Sequence, residues 1–574
     1  MDQRKNVFVA VTLALLVMVL TNYFFPPQRP VPAPAPTAAA PAPPAPAATV
    51  QPAAVVPAGP AQPFTARTVE VRSPLYTYRF STRGGALTSA ELPRFASYVV
   101  EGGKVQLVPR GASVLAYRVT NGRQTVDLRG LEFRPSADRL ELRPGGTPQN
   151  LTFTAAAPGG AQVQVTYTFR PDDYLVNVRG LVTGVPGGQL VTSMGTGLAL
   201  HDAPDHATER ELQVAAWMNE DVERVHLQGQ EATDTLAGPL QWVGFKDRYF
   251  LLATLAAPRN DYAYALVRNV RDERYVVDGK ERMAPRSELT TALPLAENGA
   301  FAFDAYMGPL ENDRMVAIGR GLEEVNPYGY RWLRVIVRPI SAVVLWALRE
   351  LHTLGLSYGW VLVAFGVIVR LVTWPLNAKA MRAQMKNMAV QPQLQARMKE
   401  IQAKYADDPR VQQQEMMKMY GELGVSPFSM LSGCLPLLIP MPVLITLFFV
   451  FQSAIEFRGT SWGWLPDLSL RDPFYLLPVF LIVSMFALQY VSTKMSGMEQ
   501  NEQTKMMMYI MPPMMGIFFL FMPSGLNLYY ASTNVASLPQ QLLIARERRR
   551  ATEEQKAKEA AEAKAAKTAA RKKR

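Results

Sequence analysis

Four ionisable side chains lie close together in one short segment of the sequence. The segment His201-Asp202-Ala-Pro-Asp205-His206 places two imidazoles and two carboxylates within six residues. These groups could serve as metal ligands or as an acid/base pair. A polar surface loop with a proline explains the same residues, and no third cluster with a recognised spacing accompanies them. The sequence therefore favours a surface loop and predicts no catalytic residue, metal or cofactor here.

A single charge interrupts an apolar segment further along the chain. Arg370 lies between Trp360 and Trp374 in a mostly apolar stretch, which is typical of a transmembrane helix with a Trp at each interface. Lys379 and Arg382 follow and mark the cytoplasmic end by the positive-inside rule. An Arg inside a spanning helix costs about 2.5–3.5 kcal/mol, so it persists mostly where it faces protein or trapped water. The alternative is snorkelling, in which the side chain extends along its helix to the headgroups.

Two apolar segments carry polar stripes at helical spacing. The stripe that contains Arg370 runs at i, i+4, i+7 and i+11 through Gly366, Arg370, Thr373 and Asn377. The last apolar segment has a stripe at i, i+3, i+7, i+10 and i+14: Asn527, Tyr530, Asn534, Ser537 and Gln541. Such residues commonly join packed membrane helices. Two stripes with a guanidinium favour a water-filled cavity, because dry packing leaves the guanidinium with too few acceptors.

The composition sets outer bounds on the architecture. The chain has 574 residues, of which 48% are hydrophobic, and its mean hydropathy is near zero, so apolar spans must alternate with a substantial water-soluble part. The net charge of +12 indicates an anionic partner such as lipid headgroups or RNA. Cys434 is the only cysteine, which excludes an internal disulfide. Gly103-Lys104 lacks the upstream Gly and the hydroxyl residue of a phosphate loop.

The first part of the chain indicates an anchor, a linker and a β domain. Residues 1–25 have two basic residues before a long apolar run, which favours a retained signal anchor with its N-terminus inside over a cleaved signal peptide. Residues 26–63 form a Pro/Ala-rich linker. Residues 64–320 alternate apolar and polar side chains with Gly/Pro breaks, as in Gln162–Phe169, which predicts an antiparallel β-sandwich outside the membrane.

The second part of the chain indicates helices. Residues 327–354 predict an amphipathic helix in the outer interface, because counting them as a span would violate the positive-inside rule. Residues 377–428 predict a cytoplasmic helical hairpin, divided near Asp407-Asp408-Pro409, with Pro392 kinking or delaying its first helix. Its contact residues for a partner are Met416, Met417 and Tyr420, because Met-rich faces are adaptable. The predicted spans cover about 358–376, 431–452, 473–491, 506–522 and 526–544, and a basic, partly helical tail follows at 546–574.

The segment from about residue 355 to 545 resembles the YidC membrane-protein insertase family of Gram-negative bacteria. The resemblance rests on motifs in the family's order and spacing: Ile368-Val369-Arg370, Trp374-Pro375-Leu376, Gln414-Glu415-Met416-Met417, Gly433-Cys434-Leu435-Pro436-Leu437-Leu438-Ile439, Asp472-Pro473-Phe474-Tyr475 and Met522-Pro523-Ser524-Gly525-Leu526-Asn527-Leu528-Tyr529-Tyr530. Shorter motifs resemble its periplasmic domain: Thr82-Arg83-Gly84-Gly85, Arg248-Tyr249-Phe250 and Met307-Gly308-Pro309. The fold class implied is a multi-domain membrane protein with six spans. Five form a helical core (355–545), beside an all-β periplasmic supersandwich similar to sugar mutarotases.

The resemblance also implies a function and a site. Family members enclose a groove that is open to cytoplasm and lipid and closed outside. A substrate groove is thus expected at Arg370, Gly366, Thr373, Asn527, Tyr529, Tyr530 and Asn534. Tyr529 and Tyr530 fall where family members contact the emerging substrate helix. Gly366 and Pro440 replace the Thr and Gln of some relatives, which puts those polar contacts in doubt.

The predicted function is insertion of nascent membrane proteins into the inner membrane, with no enzymatic step and no cofactor. Both termini are expected in the cytoplasm. The chain is expected to work alone or with the Sec translocon, and its basic tail to contact ribosomal RNA or anionic phospholipids by charge. Two alternatives remain at this stage. A small-anion transporter would also place Arg370 in a cavity, and a sugar-binding or sugar-modifying envelope protein would place its function in the β domain.

Overall fold

The computed structural model describes residues 64–122, 124–157, 160–185, 187–202, 212–226, 233–277, 280–326, 334–406, 408–422, 441–494 and 502–572. The predicted signal anchor (1–25), nearly all of the linker (26–63) and the first part of the span predicted at 431–452 lie outside these ranges.

The region from Thr68 to Pro309 is built from β-strands, as the period-two pattern predicts. The strands are β1 Thr68–Arg72, β2 Thr77–Ser81, β3 Leu87–Ala96, β4 Lys104–Gln106, β5 Ala116–Thr120, β6 Thr125–Asp127, β7 Arg134–Pro135, β8 Arg139–Glu141, β9 Gln149–Ala156, β10 Gln162–Phe169, β11 Leu175–Val182, β12 Gln189–Ser193, β13 Gln213–Met218, β14 Asp221–His226, β15 Thr233–Leu240, β16 Trp242–Lys246, β17 Phe250–Ala256, β18 Tyr262–Val277, β19 Lys280–Pro294 and β20 Ala300–Pro309.

These strands form three sheets around one hydrophobic core. A five-stranded sheet has the order β4-β3-β2-β1-β8, a nine-stranded sheet the order β14-β13-β16-β17-β20-β11-β10-β9-β7, and a six-stranded sheet the order β15-β18-β19-β12-β5-β6. In β10, Val163, Val165, Tyr167 and Phe169 are all buried and pack in this core, while the residues between them point outward. The alternation in the sequence therefore fixes which face of the strand is buried.

Helices dominate after the β domain. They are α1 Asn312–Ile318, α2 Arg334–Thr353, α3 Tyr358–Lys404, α4 Pro409–Glu422, α5 Met441–Ser453, α6 Leu476–Lys494, α7 Glu502–Leu520 and α8 Ser524–Lys572. The break between α3 and α4 falls at the predicted Asp-Asp-Pro site. A buried cluster including Val361, Phe365, Leu447, Leu526 and Tyr529 joins α3, α5 and α8.

Two of the helices are longer than the sequence predicts. Helix α3 has 47 residues and continues through Pro375 and Pro392. The expected late start of a helix at Pro392 is therefore wrong, and the alternative, a kink at Pro392, stays a prediction. A proline removes only one backbone hydrogen bond, and the turns on either side can hold the helix together. Helix α8 has 49 residues and joins the last predicted span to the basic tail without a break.

One described helical segment is long and apolar enough to cross a membrane by length and composition. It is Tyr358–Ala378, with a mean hydropathy of 1.8, and Leu476–Val491 is a shorter apolar helix. The six-span count therefore stays a prediction.

Candidate functional site

The polar face of α3 meets α8 at very short range. A Cβ atom on Gly366 would lie 2.1 Å from Oγ of Ser532 and 3.1 Å from the carbonyl oxygen of Tyr529. The residue before Gly366 is Phe365, and its ring centroid lies 5.8 Å from that of Tyr529. Gly366 therefore serves the close approach of two helices, which is the common role of small residues between membrane helices.

Arg370 lies one turn beyond Gly366 and is half-buried. Its Nε atom is buried and has no hydrogen-bond acceptor among the residues that the structure describes. The guanidinium interacts electrostatically with the phenol groups of Tyr529 and Tyr530. A half-buried guanidinium has five N–H donors and no acceptor of its own, so this group retains capacity to bind an anionic or carbonyl oxygen.

The other polar residues on α3 bond mainly to their own helix. The hydroxyl of Thr373 donates to the carbonyl oxygen of Val369 at 2.8 Å, and Nδ2 of Asn377 donates to Oγ1 of Thr373 at 3.2 Å. Such back-bonding satisfies polar groups on an apolar helix without a partner helix. Arg370 is thus distinguished from the rest of its stripe by a buried donor that remains unsatisfied.

The stripe on α8 joins neighbouring helices. Nδ2 of Asn534 donates to Oγ of Ser484 on α6 at 2.9 Å, and Nδ2 of Asn527 donates to the carbonyl oxygen of Phe519 on α7 at 3.0 Å. These bonds are the helix-joining contacts that membrane helices commonly make. They hold α6 and α7 against α8, beside the two tyrosines.

The rings of Tyr529 and Tyr530 pack against apolar neighbours. Tyr529 is only 4% exposed, and Tyr530 stacks on Phe519 with ring centroids 4.9 Å apart. The structure therefore brings Gly366, Arg370 and the two tyrosines together, with Tyr529 buried and Tyr530 half-buried.

The predicted contact residues of the hairpin lie on α4. Met416 is half-buried and Met417 is exposed, so the helix presents methionine on an accessible face. Tyr420 belongs to the same helix, and its side chain lies outside the described part of the structure.

The expectation of a surface loop at 201–206 is wrong for the first two residues. His201 and Asp202 are buried, with exposed fractions of 2% and 8%, while Asp205 and His206 lie outside the described residues. Nε2 of His201 lies 2.9 Å from Oδ2 of Asp247. Nε and an η nitrogen of Arg458 both donate to Oδ1 of Asp202, at 2.8 and 2.5 Å. The partners come from distant parts of the chain, so local polarity could not reveal that the pair is buried.

The charges of this cluster shift the pKa of two members. Burial disfavours a protonated His201, but the charges of Asp247 and Asp202 outweigh it and raise the pKa of His201 above 6.5. Burial also disfavours an ionised Asp247, yet His201 and the backbone amides of Phe250 and Tyr249 lower the pKa of Asp247 below 3.8. With His201 protonated, two carboxylates face two cations, and the buried cluster is neutral.

The same residues also have the types of metal ligands. One donor atom each from His201, Asp202 and Asp247 lies within 4.8 Å of the others. One Asp202 oxygen already accepts two bonds from Arg458, and one Asp247 oxygen accepts bonds from two backbone amides. We therefore interpret the cluster as a paired ionic network rather than a metal centre.

An all-β domain followed by apolar helices with a charged polar face defines a class of membrane proteins with a large water-soluble domain. Residues 350–552 match the family described as the 60Kd inner membrane protein, and residues 68–343 match the YidC periplasmic domain. The chain belongs to the YidC membrane protein insertase family. This family consists of insertases and not of enzymes, and the predicted function is confirmed at this level.

Relatives support the assignment over nearly the full length. The chain is 30% identical over 520 residues to the membrane protein insertase YidC of Cupriavidus necator, covering 87% of this chain and 86% of the relative. It is 28% identical over 578 residues to that of Chlorobium luteolum, covering 94% and 95%.

Solved structures give weaker likenesses. A YidC insertase crystal structure with the first transmembrane domain resolved covers 94% of this chain and 99% of its own, at 19% identity and a TM-score of 0.32. A galactose mutarotase-like protein from Lactobacillus casei covers 42% of this chain and 99% of its own, at 10% identity and a TM-score of 0.26.

Sequence reasoning missed several residues that shape these sites. Gln540 donates from Nε2 to the carbonyl oxygen of Trp374 at 3.0 Å and so joins α8 to α3, although the predicted stripe runs through its neighbour Gln541. Ser484 and Arg458 were also missed. A polar residue in an apolar helix could have indicated Ser484, whereas nothing local distinguishes Arg458 from other loop arginines.

Proposed function

We propose that this chain inserts nascent membrane proteins into the bacterial inner membrane along a groove at Arg370, Gly366, Thr373, Asn527, Tyr529, Tyr530 and Asn534. The single observation that supports the groove is the half-buried guanidinium of Arg370, whose Nε has no acceptor among the described residues. A structural charge at such a depth is normally paired. This one is therefore available to a substrate group.

The proposed mechanism is thermodynamic. An acidic or polar tail of the substrate enters from the cytoplasm and is attracted by Arg370, which offsets part of the cost of removing the tail from water. The apolar segment of the substrate then passes along α3 and α8 into lipid. Its burial contributes about 25 cal/mol per Å² of apolar surface, so no nucleotide is required.

Apolar side chains beside Arg370 fit the second step. Ile368, Leu371 and Val372 are exposed on α3, with 43%, 58% and 72% of their surface accessible. An exposed apolar face next to a polar one lets a substrate exchange polar for apolar contacts over a few ångströms. Gly366 contributes by bringing α8 close to α3, so that the tyrosines face Arg370.

The topology and the partners belong to the same proposal. The β domain lies in the periplasm, and both termini lie in the cytoplasm. Met416, Met417 and Tyr420 on the hairpin receive the nascent chain. The basic tail contacts ribosomal RNA or anionic phospholipids by charge, and the chain works alone or beside the Sec translocon. The helix proposed in the outer interface corresponds to α2, whose Trp346 is 60% exposed.

The testing experiment compares two substrates in vesicles that contain the full-length protein. A single-span substrate with an acidic outward-going tail is compared with one that has a neutral tail. Arg370→Ala should reduce insertion of the acidic substrate by about 10-fold or more, because an unpaired charge inside a membrane is worth several kcal/mol. Arg370→Lys should retain most of the activity, and the neutral substrate should respond less.

The matched control is Arg143→Ala, which removes one arginine from an exposed loop of the β domain between β8 and β9. It should leave insertion of both substrates unchanged. Equal insertion of the acidic tail by wild type, Arg370→Ala and Arg370→Lys would contradict the charged groove and identify Arg370 as a snorkelling residue.

The alternative functions have less support. His201 and Asp202, the described residues that the sequence offered for sugar chemistry, are buried in ion pairs and are not accessible to a sugar. The family membership likewise favours insertion over anion transport.

A further inference from the structure

The connection between α5 and α6 contacts both the β domain and the start of α8. We call residues 454–475 the outer loop. Its residue Ile455 is packed in the core of the β domain, whereas Phe457, Leu465 and Leu468 are packed in the core of the helices. The outer loop therefore belongs to both hydrophobic cores and is one physical connection between them.

Arg458 is the strongest polar contact of the outer loop with the β domain. Its side chain is only 2% exposed and pairs with Asp202. An η nitrogen also donates to the carbonyl oxygen of Ala96 at 2.8 Å, and the guanidinium lies 4.5 Å from the ring centroid of Tyr98. A buried guanidinium with a carboxylate, a carbonyl and an aromatic face is held in one position.

A second residue of the outer loop strengthens this contact. The hydroxyl of Tyr98 donates to Oδ2 of Asp467, which also accepts the backbone N–H of Gly459 at 2.8 Å. The other Asp467 oxygen accepts the backbone N–H of Ser469 at 2.7 Å. Asp467 therefore fixes the shape of the outer loop while it bonds to the β domain.

The opposite side of the outer loop holds the first turn of α8. The backbone N–H groups of Ser524 and Gly525 donate to the carbonyl oxygens of Leu470 and Leu468, at 2.7 and 2.9 Å. The hydroxyl of Ser524 donates to the carbonyl oxygen of Asp467 at 3.0 Å. These bonds satisfy N–H groups that a helix start leaves without intrahelical partners. The first turn of α8 is thus hydrogen-bonded to the segment that carries Asp467.

The contact is also close-packed. A Cβ atom on Gly525 would lie 2.5 Å from the ring of Phe451 and 3.1 Å from the carbonyl oxygen of Leu468. Tyr529 and Tyr530 follow Gly525 by about 6 and 7.5 Å along the helix axis, at 1.5 Å per residue. Because the packing is this close, a displacement of the outer loop should also displace the first turn of α8 and the two tyrosines beside Arg370.

We propose that Arg458 is a positioning residue for insertion, which couples the β domain through the outer loop to the first turn of α8 and so sets the place of Tyr529 and Tyr530. Its contacts with Asp202 and Ala96 hold the outer loop to the β domain. The first turn of α8 is then fixed by hydrogen bonds from Ser524 and Gly525 to the carbonyl oxygens of Asp467, Leu468 and Leu470. The coupling stands on these contacts alone, and only its effect on insertion rests on the proposed groove.

Hydrogen exchange and insertion assays on the full-length protein test the coupling. In Arg458→Gln, we expect amide exchange to rise at least about tenfold in residues 455–469 and in residues 523–530, because opening of a local contact is reported by the amides it protects. Strand β10, far from the junction in the sheet order, should keep its protection. Insertion of the acidic-tail substrate should fall about three- to tenfold, as a displaced contact residue lowers rate without loss of fold.

Two further variants separate positioning from general instability. Arg458→Lys keeps the charge and should restore part of both readouts, whereas Arg143→Gln removes an arginine from an exposed loop of the β domain between β8 and β9 and should change neither. If β10 also loses protection in Arg458→Gln, the Tyr98→Phe variant distinguishes loss of positioning from general instability. It removes only the hydroxyl that bonds to Asp467. It should then loosen residues 523–530 with β10 unchanged.

The outcomes distinguish this inference from the proposed function. Faster exchange confined to residues 455–469, or faster exchange at 523–530 with unchanged insertion, would overturn the positioning role of Arg458. Insensitivity of insertion to Arg370→Ala would instead contradict the groove and leave the exchange result standing.

Discussion

Arg370 and Arg458 are two poorly exposed arginines with opposite environments. Arg458 is paired with Asp202, bonded to a backbone carbonyl and stacked on Tyr98. Arg370 has a buried Nε with no acceptor among the described residues, and its guanidinium interacts electrostatically with the phenol groups of Tyr529 and Tyr530. A buried guanidinium that has a carboxylate and other acceptors stabilises the fold. A guanidinium that lacks acceptors can still bind a ligand. The comparison indicates that Arg458 has a structural role, and it supports the proposal that Arg370 binds substrate.

The largest expected effect on stability comes from breaking the ion pair between Arg458 and Asp202. Asp202→Asn removes the carboxylate charge and leaves a buried guanidinium without compensation, which should lower the free energy of unfolding by about 3–5 kcal/mol. Arg370→Met should lower it little or raise it, because it removes a poorly satisfied buried charge. Denaturant unfolding of the purified full-length protein measures both, and equal losses in the two variants would contradict the contrast.

A smaller effect tests whether the Arg370 side of α3 is packed or open. Gly366→Ala places a Cβ against Oγ of Ser532 and should cost about 1–3 kcal/mol by overpacking. The same substitution in a Ser532→Ala background should cost less, because the atom closest to the new methyl group is gone. The difference is measured by comparing the unfolding midpoints of wild type with Gly366→Ala, and of Ser532→Ala with the double variant. An identical cost in both backgrounds would show that α3 and α8 are not in contact there.

The smallest effect concerns pH at the Arg458 cluster. The pKa of His201 is raised in the folded protein above 6.5, so its contribution to stability is fully present below that pH and is lost as the pH rises through the raised pKa. Asp247, with a lowered pKa, contributes above pH 3.8 and loses its contribution as the pH falls through the lowered value. Melting temperature should therefore decline from mildly acidic to alkaline pH.

The matched variant for this prediction is His201→Gln, which keeps a polar side chain without the titrating ring. Its melting temperature should be lower than that of wild type at acidic pH and should vary less with pH. A wild-type profile that rises between neutral and alkaline pH would contradict the sign of the His201 contribution.

The strands were predictable because their signal is local. Alternation alone identified Gln162–Phe169, which matches β10, since one face of a strand in a sandwich must be apolar. The helix junctions were less predictable, because Pro375 and Pro392 do not end α3. A proline removes one backbone hydrogen bond, and the helical turns on either side of it can continue the helix.

The candidate site was predictable only in part. Arg370 and the tyrosines could be found from a charge in an apolar segment and from family motifs. The burial of His201 and Asp202 could not, because Arg458 is 256 residues from Asp202 in the chain. The role of Gly366 depends on Ser532, which only the packing of two distant helices reveals.

The unbroken course of α8 gives the basic tail a defined reach. A helix of 49 residues is about 73 Å long at 1.5 Å per residue, against a hydrocarbon layer of about 30 Å. The span proposed at 526–544 would take up about 30 Å of this length and leave about 40 Å for the basic tail. Pro539 lies inside α8, so the direction that the helix takes at this proline sets where the far end of the tail lies relative to Tyr530.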